Sequence, residues 1–116
     1  MNQTESPIDL EYLQQLSDGD LEFELELLQV YIEDGNQHLQ AAKVAIANQD
    51  NASLAREAHH LKGASGNVGA LGMQSLAQQL EEKGKIQDWQ ATHDLGKDLE
   101  AGLKNISDFI AVHYSS

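Results

Sequence analysis

From Leu21 to Ile46 the apolar and small positions fall at Leu21, Leu25, Leu28, Ile32, Gly35, Leu39, Ala42 and Ile46, in alternating steps of four and three. That period belongs to one buried stripe along an α-helix, and it carries to about Asn48. A half-buried strand would alternate at every second residue, and the β-branched and aromatic runs that mark strands are missing. The chain's one proline, Pro7, precedes every such stripe and interrupts none of them.

The spacing therefore predicts an all-α chain. Ser6 and Pro7 read as the N-cap and first residue of a short helix to about Leu16, broken by Ser17-Asp18-Gly19-Asp20. After the long second helix, Asn48-Gln49-Asp50-Asn51 makes a turn, and a third helix is predicted over about 52–68. Its core face carries Leu54, Ala58, Leu61, Ser65 and Val68. Gly69 can close it in the left-handed conformation that glycine adopts cheaply. A fourth helix has Leu71, Met73, Gln74, Leu76, Ala77 and Leu80 as its inner edge and Gly84 as its stop. A fifth, led in by Ile86 to Trp89, carries Leu95, Leu99, Leu103, Ile106 and Ile110. Gly35 weakens a helix by roughly 1 kcal/mol relative to alanine, so it predicts a close approach by a neighbouring helix. Together these elements predict an antiparallel four-helix bundle with a short additional N-terminal helix. The 116 residues are expected to form one domain, 1–116, around one core.

Composition removes several classes of function. The formal net charge is -12, no Lys or Arg precedes Lys43, and ten Asp and Glu fall between Glu5 and Asp34. Counterion release from a phosphate backbone needs clustered basic residues, so no nucleic-acid partner is expected. No apolar run approaches the roughly 20 residues of a membrane-spanning helix, and the N-terminus lacks a signal-peptide pattern. A cytoplasmic chain without a membrane association is expected. Without cysteine there is neither a disulfide nor a thiolate site. No Walker-type loop is present to hold a nucleotide. Acidic runs such as Glu22-Phe23-Glu24-Leu25-Glu26 read as solvated helix faces. Met1 and the ending Tyr114-Ser115-Ser116 fit a free-standing protein, and a monomer is expected, because no second coiled-coil seam is visible.

One stretch departs from this plain pattern. Residues 58–69, AHHLKGASGNVG, place two histidines, a lysine and three glycines in a predicted helix, in the least acidic part of the chain. At about 100° per residue, His59 lies ~140° from the direction of the core stripe and points to water. His60 lies ~120° away on the other flank. His59 is bordered by Ala55, Arg56, Lys62 and Gly63, and His60 by Arg56, Glu57, Gly63 and Ala64. A neutral imidazole keeps one ring lone pair and can attack a phosphoryl group. Lys62, one turn on, can offset the charge of the product. Gly63 is a stability cost that makes sense if a side chain there would block the incoming group. Gly66 fits a second clearance or the fraying end of the helix, the latter favoured. Adjacent helical histidines diverge by about 100° and cannot bind one ion as an i, i+4 pair does. With His38, His93 and His113 scattered, a metal site needs a tertiary coincidence, so no metal is expected.

Ala58-His59-His60-Leu61-Lys62-Gly63, continued by Ala64-Ser65 and Val68-Gly69-Ala70, resembles the signature of histidine-containing phosphotransfer (HPt) domains, the intermediates of multistep two-component phosphorelays. The likeness extends through most of the chain. Gly19-Asp20, Glu26-Leu27-Leu28 and Tyr31 resemble the family's preceding helix, whose aromatic lies beside the phosphorylated histidine. Here it is Tyr31, where phenylalanine is more usual. Leu76-Ala77-Gln78-Gln79-Leu80-Glu81 resembles the following helix, where some members have a glutamine that bonds the histidine ring. Ungapped counting puts Glu81 at that position, with Gln78 close by. The resemblance implies a carrier, not an autonomous kinase. His59 would accept a phosphoryl group from a phospho-aspartate on a receiver domain of a response regulator or hybrid sensor histidine kinase, and pass it to another. Lys62 would compensate charge, and Gly63 would give clearance. Ala55, Arg56, His60, Gly66, Tyr31, Gln78 and Glu81 would line the site. No cofactor of its own is implied, since Mg²⁺ and the catalytic residues come with the receiver. The alternative from a different class is a helical docking module that binds or sequesters such partners without carrying phosphate.

Overall fold

The computed structural model describes residues 6–115, which form five helices: α1 (Leu10–Ser17), α2 (Leu21–Ala47), α3 (Asn51–Asn67), α4 (Leu71–Lys85) and α5 (Trp89–His113). Four of them begin at an aspartate. Asp9, Asp20, Asp50 and Asp88 each accept the backbone N–H of the residue three positions on, Tyr12, Phe23, Ser53 and Ala91, at 3.1 Å. Each bond satisfies a donor the helix cannot, and sets negative charge at the positive end of the helix dipole. Asp50 also accepts the Ser53 hydroxyl at 2.6 Å, and that bond holds its carboxyl below the usual range.

Two predicted boundaries move. The first helix starts at Leu10, not Pro7, because Asp9 is the cap that is satisfied. Ser6 Oγ instead accepts the Ile8 N–H at 3.2 Å, a local serine turn. The Asp9 N–H donates to the Gly69 carbonyl at 2.8 Å and ties the lead-in to the turn after α3. Gly69 has φ 77°, as predicted, and a Cβ there would lie 3.1 Å from the Tyr12 ring. Gly84 does not stop the fourth helix, which runs on to Lys85 and turns at Gln87, φ 57°. Gly84 is instead buried against α3, where a Cβ would meet Leu54 Cδ2 at 3.0 Å.

Four helices close a ring: α2 packs on α3, α3 on α4, α4 on α5 and α5 on α2, with α1 docked on α2. The four-helix bundle with a short additional N-terminal helix is what the stripes predict. The core holds Leu28, Leu39, Ala42 and Ile46 of α2, Leu54, Ala58 and Leu61 of α3, Met73, Ala77 and Leu80 of α4, and Leu95, Leu99, Leu103 and Ile106 of α5. The helix that approaches Gly35 is α5, with Leu103 Cδ2 3.1 Å from where a Cβ would stand. Leu21, at the start of the predicted stripe, is exposed and Leu25 half-buried, and the stripe enters the core at Leu28.

At about 1.5 Å per residue, the 27 residues of α2 and 25 of α5 outrun the 17 of α3 and 15 of α4. In that overhang Glu24 is 1 % exposed, so it is no solvated face. Its carboxylate accepts the Ser17 hydroxyl at 2.8 Å and the Tyr114 hydroxyl at 2.9 Å, joining the ends of α1 and α5 to α2. Burial, and then the Glu24 carboxylate, push the Tyr114 phenol up. Among the described residues no helix is long and apolar enough to cross a membrane.

Candidate functional site

Helix α3 lies with Leu54, Ala58, Leu61 and Ser65 buried, so its outer ridge is fixed by the core it serves. His59 stands on that ridge with 73 % of its side chain exposed, where the helical period puts it. Gly63, one turn on, has no atom within 4 Å of the position a Cβ would take. Beside His59 the surface is therefore open, and nothing in the fold requires glycine there.

Glu81 of α4 comes up on the other side of the histidine. Its side chain is 16 % exposed, and its two carboxylate oxygens face His59 Nδ1 at 3.6 Å and Lys62 Nζ at 3.4 Å. The His59 contact, at 3.6 Å, is longer than a hydrogen bond. The nitrogen turned toward Glu81 is Nδ1, which leaves Nε2 for the solvent side. Lys62, half-buried, is held within one turn of the imidazole by the same carboxylate. The site is thus a solvent-facing imidazole with a cation and an anion at its base and a cleared surface beside it.

The structure brings His59, Lys62, Gly63 and Glu81 together, keeps Ala55 and Arg56 one turn before His59 on the same helix, and turns His60 and Tyr31 away. The Gln78 amide donates to Glu82 at 3.3 Å, so of the two residues considered for orienting the ring, Glu81 is the one that reaches it. Arg56 donates to Ser53 Oγ at 3.1 Å on its own helix. Ala55 is half-buried on the same helix. Gly66 lies inside α3 and is no frayed end: a Cβ there would stand 2.6 Å from the Gln74 amide nitrogen, which covers it from α4. Tyr31 is 3 % exposed in the core, and its hydroxyl shares a 2.7 Å hydrogen bond with Ser65, roughly 9 Å along α3 from His59. Burial pushes the Tyr31 phenol up to about 12.

His60 turns to the opposite flank and contacts Asp34 of α2, with Nε2 2.7 Å from Oδ2. The His60 ring stacks on His38 at 3.6 Å between centroids. His38 in turn meets Asp34 at 3.3 Å and Glu57 at 2.6 Å. The sequence reading missed this cluster. Its signals are two helical pairs, Asp34 with His38 and Glu57 with His60, and only the register between α2 and α3 shows that the pairs face one another.

The chain is thus a helical bundle that carries an exposed histidine beside a lysine on a core-anchored helix. The family model of the Hpt domain matches residues 26–109, and the chain belongs to that family of histidine phosphotransfer carriers. Its fold is similar to that of histidine-containing phosphotransfer protein B (HptB) from Pseudomonas aeruginosa PAO1, with 23% identity and a TM-score of 0.81 over 89% of this chain and 90% of that one. It is also similar to the HPT domain from the Hpt sensor hybrid histidine kinase from Shewanella, with 18% identity and a TM-score of 0.73 over 95% and 97% of the two chains. Among curated proteins, none matches the chain.

Proposed function

We propose that this chain is a phosphorelay carrier in which His59 Nε2 accepts a phosphoryl group from the phospho-aspartate of a receiver domain and returns it to a second receiver. The observation that carries the reading is the pairing of an open His59 with a Glu81 carboxylate on its Nδ1 side. A carboxylate there favours the tautomer whose proton sits on Nδ1 and whose lone pair is on Nε2. That lone pair attacks phosphorus as the bond to the aspartyl oxygen breaks, and the departing carboxylate stays with the receiver. Lys62 offsets both the Glu81 carboxylate and the phosphoryl oxygens delivered next to it. The receiver supplies Mg²⁺ and the remaining catalytic groups, and this chain supplies the nucleophile and a surface that fits around it.

Two substitutions separate these roles. Lys62→Ala leaves Glu81 uncompensated beside an incoming anion, and receiver-dependent transfer should fall on the order of tenfold, about 1.4 kcal/mol in the barrier. A transfer time course checks it. Gly63→Ala meets no atom within 4 Å, so it should raise helix stability by about 1 kcal/mol. The same methyl stands where the receiver must approach, so transfer should slow while the melting temperature rises. Denaturant unfolding and transfer rates on one preparation read both.

The reading is tested with a phosphorylated receiver, Mg²⁺ and this chain, followed by a second receiver. Phosphate should leave the first receiver, reside on this chain, and then pass to the second. Binding to receivers with no phosphate ever reaching this chain would instead make it a docking module.

A further inference from the structure

We propose that Asp34, His38 and His60 form a binding site for a divalent transition metal of the zinc class, on the α2–α3 flank of the bundle. Their ligand atoms, one from each residue, lie within 4.8 Å of one another. Both imidazole Nε2 atoms already converge on the one Asp34 carboxylate, at 2.7 Å from His60 and 3.3 Å from His38. In a tetrahedral zinc site with bonds of about 2.0–2.1 Å, neighbouring donors stand roughly 3.3 Å apart. The donor spacings are therefore close to those of such a site, and the stacked His38 and His60 rings would turn to aim both Nε2 lone pairs at one ion.

A second observation is the placement of Glu57. His38 turns Nε2 toward Asp34 at 3.3 Å and Nδ1 toward Glu57 at 2.6 Å, the arrangement of a ligating imidazole with a carboxylate behind it. The Nδ1 N–H donates to Glu57, while the Nε2 lone pair and the Asp34 carboxylate share the ion. A carboxylate behind a ligating histidine is the usual outer support of such sites, fixing the tautomer and raising ligand basicity. Glu57, 22 % exposed, takes that place.

Two imidazoles and one carboxylate select zinc, nickel or copper over magnesium or calcium, which favour oxygen ligands alone. Asp34, His38 and His60 are 35 %, 29 % and 44 % exposed at the side chain, so an ion can enter from solvent. The site uses none of His59, Lys62 or Glu81, although His60 adjoins His59 in the chain. An ion there would place positive charge on the flank next to the histidine ridge.

Isothermal titration of the untagged chain with Zn²⁺ tests this. One equivalent should bind saturably, with His38→Gln and His60→Gln each weakening it at least as much as Glu57→Gln, for which a loss of about 10–100-fold is expected. His93→Gln, an exposed histidine on α5, should leave it unchanged. Imidazole nitrogen shifts in an NMR titration should move at Nε2 of His38 and His60 together. Absence of saturable binding would overturn the proposal, as would binding that His59→Gln removes and His38→Gln and His60→Gln leave intact.

Discussion

His59→Gln should abolish phosphoryl acceptance from a phosphorylated receiver while leaving the thermal unfolding midpoint almost unchanged. Glutamine keeps a polar side chain of similar reach but has no ring nitrogen to form the N–P bond, so the loss is complete and not a fold-reduction. The side chain is 73 % exposed, and its contact with Glu81, at 3.6 Å, is longer than a hydrogen bond. A surface position of that kind changes stability by no more than about 0.5 kcal/mol. Circular dichroism melting beside a transfer assay reads both arms. Residual phosphorylation in the variant would move the acceptor to another residue.

Leu54→Ala should produce the reverse result, a large loss of stability with the chemistry intact below the melting transition. Leu54 is fully buried on α3, and truncation of such a residue costs about 2–5 kcal/mol. The residue facing it is Gly84, whose missing side chain cannot fill the void, so the cost belongs toward the upper end. At about 4 °C per kcal/mol the midpoint should fall by roughly 8–20 °C. The pair also predicts its own rescue. Gly84→Ala alone crowds Leu54 Cδ2 at 3.0 Å, but in the Leu54→Ala background its methyl enters the space left behind. The double variant should be more stable than the sum of the single changes allows, which a double-mutant cycle measures.

The parts of the molecule legible in the sequence are those decided by one helix at a time. The inner face of α3 and the outward aim of His59 follow from the 3.6-residue period, and the α5 stripe from Leu95 to Ile106 follows in the same way. Gly35 could be read because a glycine in a buried stripe has few other uses. Glu24 could not be read: its burial is set by Ser17 and by Tyr114, 90 residues away, and its neighbours Glu22 and Glu26 are ordinary surface acids. Gly84 reads as a stop from local rules, whereas its reason is Leu54 on another helix. The same division runs through the site. His59, Lys62 and Gly63 share one ridge and can be found together, but which residue of α4 meets the ring depends on how α3 and α4 cross. The Asp34, His38, Glu57 and His60 cluster needs the register of α2 against α3, which no single-helix pattern contains.

The most direct measurement is fragment-resolved mass spectrometry of the wild-type chain at neutral pH, after exposure to a phosphorylated receiver and Mg²⁺. His59 and His60 are adjacent, equally histidine, and in opposite surroundings: one open beside Lys62 and Glu81, the other held by Asp34 and stacked on His38. Phosphate is expected on His59 and none on His60. Phosphate on His60, or on no histidine while the receiver still binds, would contradict that expectation.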